Sequence, residues 1–391
     1  MLVSLKKLSV EINNWYIKSD TPIHINEPLI SNEDISSVVE TLEEKWVSTA
    51  GPIVTEFERS IASAFDNTNA VALNSGTSAL HLSLLSLDIT SSDLVILAPL
   101  TFVAPLNAIK YLGATPLFID ISLDDLSIDI AKLNHYAEKY FSTKNNKTVD
   151  LKTKKIVKAL IVVDVFGHLG NMKAYREFCN KYRISLIVDS AESVGSKRGG
   201  LTSASFSDIT TTSFNGNKII TSGSGGAVIS KKEDLIEKIK HLSTTANIGS
   251  KDFSYYHDQV GYNYRLPAIN AALGNSQIKE LKNKVSNFRK IHSKYKQLLR
   301  NMDELKIFSE VDDAHSNYWL NLFLLKDKAS KEEKNEFIRK LNKSGIGARN
   351  VWNPLYDLPY VNKDEELNYE NADHVFNYGF NLPSTSKLNT P

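Results

Sequence analysis

The chain reads as an α/β protein: a large domain built on a mostly parallel, seven-stranded sheet between helices, followed by a smaller C-terminal α+β domain. Three observations predict this. Short, β-branched, nearly all-apolar runs recur from about residue 65 to 230, as strands buried on both faces of a parallel sheet should. Helical patterns lie between several of them, and strand–helix alternation at that pitch makes a layered sheet with helices on both faces. A long helical stretch then leads into a mixed succession of strand and helix.

Residues 1–22, with "MLVSLKKLSVEINNWYIKSD", are amphipathic and read as a helical extension that packs on the body or on a second subunit. The segment has no continuous apolar core and no small-residue cleavage site, so no signal peptide is expected. Residues 23–264 form the large domain. Its strands are "AVALNS", "LVILAP", "TPLFID", "KALIVVDV", "ISLIVD", "ITTTSF" and "GAVIS", with helices at "TSALHLSLLSL", "APLNAIKYLG" and "NMKAYREFCNKY". The polar, lysine-rich "FSTKNNKTVDLKTKK" reads as a surface insertion, and its "NKT" as a chance match to a glycosylation acceptor. Residues 265–300 read as one long helical region linking two domains. In residues 301–391, "NYWLNLFLLK" is strand-like, and "SKEEKNEFIRKLNKSG" is a helix closed by a glycine.

Composition narrows the function. The 391 residues carry 46 basic and 45 acidic side chains, a formal charge of +1, which argues against a nucleic-acid or membrane-surface binder. No apolar run approaches the ~20 residues that span a bilayer. The one cysteine, Cys179, cannot form an internal disulfide, so a cytoplasmic location fits, and the helical "REFCNKY" around it suggests a buried structural thiol.

Three motifs bear chemistry. In "ALNSGTSALHLSLL" a strand ends at Asn74 and a helix begins after Ser75-Gly76-Thr77-Ser78, which brings free N–H groups, hydroxyls and a positive helix end to one point, as a phosphate needs. Serine and threonine are also ordinary helix caps, so this signal is weak by itself. In "LIVDSAESVGS", Asp189 directly follows a buried strand, at the sheet edge where α/β proteins bind ligands, with Glu192 close behind. A carboxylate there can hold a metal or a protonated ring nitrogen, or merely cap a helix. The nine histidines show no ligand-like grouping, so no metal is expected. In "SFSDITTTSFNGNK", Lys218 lies just beyond another strand, and Gly216 permits a tight turn. A desolvated lysine can form a Schiff base with a carbonyl. Together, a phosphate cradle, a partner for a ring nitrogen and a lysine for an aldehyde are what pyridoxal phosphate requires. Phe102 follows the next strand, placed either to stack on a flat ring or to pack in the core.

With these residues the chain resembles the DegT-type sugar-nucleotide aminotransferases, pyridoxal-phosphate enzymes of fold type I. The resemblance runs over nearly the whole chain, through "INEPLISNEDI", "KWVSTAGPIVTEFE", "NSGTSALHL", "PLTFVAPLNAI", "VDSAESVGS", "SFNGNKIITSGSGG", "GYNYRLPAINAALGNSQ" and "NLPSTSKLN". It implies that Lys218 carries the cofactor, Asp189 faces the pyridine nitrogen and Phe102 stacks on the ring. It further implies that Gly76, Thr77 and Ser213 bind the phosphate and that Glu192 lies on the 3-hydroxyl side. Asn263 and Arg265 match a loop that reaches the neighbouring subunit's site, which implies a homodimer with shared active sites. Asn215, Arg265 and Tyr356 fall at positions implied to meet the substrate.

Asn215 stands where many relatives have histidine, and "SFNGNKIIT", "SNYWLN" and the N-terminal extension resemble the branch that makes 4-amino sugars for bacillosamine- and legionaminic-type pathways. Tyr356 of "NPLYDLP" also replaces a common histidine, which leaves the sugar contact open there. The chain stops soon after "NLPSTSKLNTP", where relatives continue into a last helix, so this end is expected to be trimmed or divergent. The resemblance implies transfer of an amino group from glutamate to C4 of a nucleotide-linked 4-keto-6-deoxy sugar, with UDP-4-keto-6-deoxy-N-acetylglucosamine as the expected acceptor. GDP- and dTDP-linked sugars are alternatives. The sugar 3-dehydrases, which carry histidine in place of the lysine, are disfavoured by Lys218. A fold-type I enzyme acting on amino acids would use an arginine for the carboxylate, and Arg349 is available.

Overall fold

The computed structural model describes residues 3–16, 22–66, 69–249, 254–326 and 330–385. In chain order the strands of the large sheet are β1 (Asn69–Leu73), β2 (Asp93–Leu97), β3 (Thr115–Phe118), β4 (Phe141–Lys144), β5 (Lys147–Asp150), β6 (Ile156–Val163) and β7 (Ser185–Asp189). A two-residue strand, β8 (Lys197–Arg198), stands apart, and β9 (Ile209–Ser213) and β10 (Gly226–Ser230) complete the sheet. The main order is β1-β10-β9-β7-β6-β2-β3. The β9–β7, β7–β6, β6–β2 and β2–β3 pairs are parallel, whereas β10 runs antiparallel to both β1 and β9. Seven strands were expected from their apolar runs, and all seven lie in this path. β2 and β10 are buried at every residue, which is why their sequences lack alternation.

One segment differs from the sequence reading. "FSTKNNKTVD" is no loose insertion: it forms the β4–β5 hairpin, and β5 pairs antiparallel with the start of β6. Its turn residues Asn145 and Asn146 have φ of 49° and 63°, the left-handed pair that a two-residue hairpin turn demands. Thr148 and Asp150 are buried, so the inward positions of this strand are polar and escape an apolar-pattern search.

Helix α1 (Val3–Tyr16) precedes α2 (Asn32–Glu43) and α3 (Pro52–Ala64); α4 (Gly76–Ser86), α5 (Ala104–Tyr111), α6 (Ile130–Tyr140) and α7 (Met172–Tyr182) lie between strands, and α8 (Glu233–Ser243) follows β10. Ser31 caps α2 in a reciprocal box with Asp34. Cys179 is fully buried in α7, and burial pushes its thiol well above the ordinary range. The expected single long helix is two, α9 (Ala268–Lys279) and α10 (Leu281–Leu298), parted at Glu280 with φ −91° and ψ 6°.

Beyond it lie β11 (Leu305–Ile307), β12 (Ala314–His315), which pairs with β8, β13 (Asn321–Leu325), β14 (Arg349–Asn350) and β15 (Gly379–Leu382), with α11 (Lys331–Lys343) and α12 (Glu370–Tyr378). A four-stranded antiparallel sheet of order β11-β13-β15-β14 results. α11 starts in a Ser330–Glu333 capping box, and Gly345 just past its end takes φ 78°. A separate apolar cluster centres here. It joins Phe323, Phe337 and Phe380 to Ile291 and Tyr295 of α10, and to Leu5, Leu8 and Ile12 of α1. Those α1 residues are wholly buried at one-face spacing, so α1 docks on the body through them.

Candidate active site

Five parallel strands of the large sheet end at one edge, and the residues that follow them line a cleft of about 300 Å³. β1 delivers Ser75, Gly76 and Thr77. β2 delivers Thr101 and Phe102, β6 ends at Val163, β7 ends at Asp189, and β9 ends at Ser213, five residues before Lys218. β14 and the segment around it close the far side with Arg349, Asn350 and Trp352, and Trp319 enters just before β13.

The Ser75 hydroxyl accepts from the Ser78 N–H and opens α4, whose first N–H groups face the cleft mouth. Behind this turn passes Gly226 of β10. A Cβ on Gly226 would lie 2.4 Å from the Ser75 carbonyl carbon and 2.5 Å from the Gly76 nitrogen, so only glycine lets the two backbones meet. A Cβ on Gly76 would likewise lie 2.9 Å from that of Ser213. Backbone N–H groups and two hydroxyl-bearing segments therefore pack closely together at the cleft, which the missing side chains allow.

Asp189 and Glu192 are both buried. One Asp189 oxygen, Oδ1, accepts from the Ala191 N–H at 3.1 Å and the Thr211 hydroxyl at 3.4 Å. Among the described residues Oδ2 takes no donor. Burial raises the Asp189 carboxyl to about 6, against the opposing pull of the Ala191 N–H and of Lys218. Glu192 Oε2 accepts from the Phe166 N–H at 2.8 Å, and its Oε1 lies 3.3 Å from Lys218 Nζ. Burial raises this carboxyl also, while Lys218 pulls it down.

Lys218 is 13% exposed at its side chain. Its Nζ stands 3.8 Å from the centre of the Trp319 ring, whose Nε1 donates to the Asn217 carbonyl at 2.8 Å. Phe102 is 52% exposed and edges toward Trp352, which stacks on Phe166 at 4.8 Å.

Gly76, Thr77, Phe102, Asp189, Glu192, Ser213, Asn215 and Lys218 thus meet in one cleft. Three others do not line it. Asn263 and Arg265 lie on the strand-like segment beside Thr244 and Leu73, where Arg265 borders a separate groove with Tyr255 and His257. Tyr356 is buried, stacked on Tyr369 at 4.4 Å, and its hydroxyl donates to Asp373 at 2.5 Å. In this chain it packs between these two partners, outside the residues that line the cleft. Sequence reasoning missed Trp319 and Trp352. Trp319 sits in a stretch that reads as a strand of the C-terminal domain and Trp352 in one with no clear pattern, and only the return of this region over the sheet edge brings them in.

A mostly parallel α/β sheet with a glycine-containing helix start, a buried carboxylate and a lysine at one edge is the arrangement of a fold-type I pyridoxal-phosphate enzyme. The chain belongs to the DegT/DnrJ/EryC1/StrS aminotransferase family, which it matches over residues 28–391, and it is a pyridoxal-phosphate-dependent sugar-nucleotide aminotransferase. It is 31% identical over 367 residues to the GDP-perosamine synthase of Escherichia coli O157:H7, covering 94% of each chain. It is also 31% identical over 364 residues to the UDP-4-amino-4,6-dideoxy-N-acetyl-beta-L-altrosamine transaminase of Campylobacter jejuni subsp. jejuni serotype O:23/36, covering 92% of each. Among solved structures, Helicobacter pylori PseC, an aminotransferase involved in the biosynthesis of pseudoaminic acid, superposes with a TM-score of 0.83 at 25% identity. That match covers 93% of this chain and 94% of the other. Among the described residues no helix is long and apolar enough to cross a membrane.

Proposed function

We propose that this enzyme transfers the amino group of glutamate to C4 of a nucleotide-linked 4-keto-6-deoxy sugar in the cytoplasm, with UDP-4-keto-6-deoxy-N-acetylglucosamine as acceptor. The product is the 4-amino sugar of a surface glycan, and glutamate leaves as 2-oxoglutarate. The observation that carries the reading is the convergence of Lys218, Glu192 and Asp189 beneath the Ser75–Thr77 turn in one cleft. The residues fit pyridoxal phosphate, since the close Gly226 approach lets the Ser75–Gly76 turn sit at the strand ends and Asp189 Oδ2 has no donor among the described residues.

When bound, pyridoxal phosphate supplies an aldehyde that takes up an amine and a protonated ring that accepts the electrons of a broken C–H bond. Gly76, Thr77 and Ser213 hold its phosphate. Asp189 would hold the proton on its ring nitrogen, and Phe102 and Glu192 would help to hold the ring in the cleft that they line. Lys218 carries the cofactor between turnovers. Its Nζ, the amine nearest the reacting carbon, would take and return the proton there, as base and then as acid. Trp319 shields that Nζ from water on one side. Among the described residues, Arg349 and Lys218 are the cations that line the cleft. The Arg349 guanidinium has no partner among the described residues, so it holds a donor carboxylate. This gives Arg349 a use in the donor half of the reaction, with no need for an amino acid as acceptor.

The UDP acceptor rests on the "SFNGNKIIT" segment with Asn215 in the cleft, and on a relative whose name carries a UDP-linked sugar. Purified protein with glutamate should aminate UDP-4-keto-6-deoxy-N-acetylglucosamine in a panel that includes GDP- and dTDP-linked keto sugars, with the product identified by NMR. Turnover of the GDP-linked sugar alone would replace this acceptor with the alternative that the perosamine synthase relative suggests.

The working unit is a homodimer. Ile35, Val39 and Leu42 on α2, with Trp46 and Val47 after it, form an exposed apolar run, and Tyr255, Tyr256 and Val260 stand exposed near Arg265. In the dimer Asn263 and Arg265 reach the neighbouring site. Sedimentation equilibrium should show two chains per particle, and a fully active monomer would contradict shared sites.

A further inference from the structure

Just past the end of β6 stands a buried acid with no cation beside it among the described residues. Asp164 is fully buried, and its Oδ2 accepts from three hydroxyls: Ser190 at 3.0 Å, Ser193 at 2.7 Å and Ser203 at 2.7 Å. Its Oδ1 is buried without a hydrogen-bond partner. Such a group is costly to keep, and burial raises its carboxyl to about 7. An apolar side chain in its place would avoid that cost, so the arrangement needs a use.

The three serines indicate one. Ser190 and Ser193 belong to the turn that starts at Asp189 and contains Glu192, and the Asp164 N–H donates to the Asp189 carbonyl at 3.1 Å. Two residues on, Phe166 adopts a left-handed φ of 57°, and its N–H fixes Glu192 Oε2 at 2.8 Å. The next carbonyl, of Gly167, accepts from the hydroxyls of Ser196 and Ser316. The strand end therefore grips the turn from within, on the side away from the cleft.

We propose that Asp164 is a positioning residue for the transamination: its carboxylate clamps the Ser190–Ser193 turn so that Asp189 presents Oδ2 to the ring nitrogen and Glu192 presents Oε1 to Lys218. One acceptor shared by three donors sets the turn's height and tilt in a way that no single serine can. This inference rests on the roles proposed above for Asp189, Glu192 and Lys218.

The test compares Asp164→Ala, Asp164→Asn, Ser193→Ala and Asp189→Asn as cofactor-loaded enzymes. Three readouts are taken: the visible circular dichroism band of the bound cofactor, the thermal midpoint, and kcat and KM for glutamate. Asp164→Ala should alter the dichroism band per mole of bound cofactor and lower kcat by about tenfold or more, with KM changed by less than about threefold. Asp164→Asn, whose amide oxygen still accepts from the serines, should recover kcat to within about threefold of the native enzyme, with Ser193→Ala intermediate between the native enzyme and Asp164→Ala. A lowered thermal midpoint with native kcat and a native band in Asp164→Ala would make Asp164 structural only and overturn the proposal. If that variant does not fold, an Asp164→Asn enzyme with a disturbed band and a tenfold loss, or a Ser193→Ala enzyme with no change at all, overturns it. An unimpaired Asp189→Asn enzyme would overturn the reading of the ring partner itself, and this inference with it.

Discussion

At the scale of single residues, Lys218 is held from two sides. Glu192 draws its Nζ toward the strand end at 3.3 Å, and the Trp319 ring covers it at 3.8 Å. A lysine in free solution has neither constraint, and the placement of this one follows from the turn after β9. Arg349 faces the same space with no carboxylate of its own. Replacing it with alanine should raise KM for glutamate by about tenfold or more, the worth of a charge-assisted hydrogen bond, while leaving KM for the keto sugar nearly unchanged. Steady-state kinetics with each substrate varied in turn would check this, and an effect confined to the sugar would move Arg349 to the nucleotide. Asp189, Lys218 and the Ser75 turn were visible in the sequence because each lies at or just beyond the end of a run that reads as a buried strand. Trp319 and Trp352 were not, because no periodicity says that an aromatic in a mixed C-terminal region will fold back over a distant sheet edge. Tyr356, whose position suggests a substrate contact, bonds Asp373 and stacks on Tyr369 in this chain.

At the scale of elements, β10 decides whether the Ser75–Gly76 turn, the proposed phosphate site, can form. Gly226 pairs with Leu73 on one side and Ser213 on the other, and its missing side chain admits the Ser75–Gly76 backbone. The obstructing atoms belong to the main chain and cannot rotate away. Gly226→Ala should therefore cost on the order of 1–3 kcal/mol and weaken cofactor binding by about tenfold, measured by titrating apoenzyme through its tryptophan fluorescence. Unchanged affinity would show that the turn has room the structure does not. The seven strands of the main path were legible because burial on both faces leaves a nearly unbroken apolar run. The β4–β5 hairpin was not, since Thr148 and Asp150 satisfy their buried polar groups internally, through Tyr182 and Tyr136, and so present no apolar pattern. Its Asn145-Asn146 turn was the available signal.

At the scale of the whole molecule, two apolar cores meet along α10 and the chain that leads into β13. His292 of α10 stacks on Tyr318 at 3.7 Å, and His168 packs edge-on against Tyr318 and Phe308. Burial holds both imidazoles down, His168 to about 3 and His292 to about 4. Because their folded values lie below the ordinary 6.5, the unfolded chain binds more protons as pH falls below 6.5, and stability from these residues is lost in that direction. Asp164 and Asp189 titrate the opposite way, so the comparison is best made against a variant that retains both. Relative to the native chain, His168→Phe should gain on the order of 2 kcal/mol in unfolding free energy between pH 7 and pH 5, measured by urea denaturation. A constant difference across that range would mean that His168 is not buried as described. The central claim, however, concerns the lysine that carries the cofactor, and it has a direct test. Borohydride reduction of the cofactor-loaded enzyme, followed by proteolysis and peptide mass spectrometry, should place the pyridoxyl group on Lys218, and the Lys218→Ala protein should take up none. A reduced adduct on any other lysine, or native turnover by Lys218→Ala, would contradict the account.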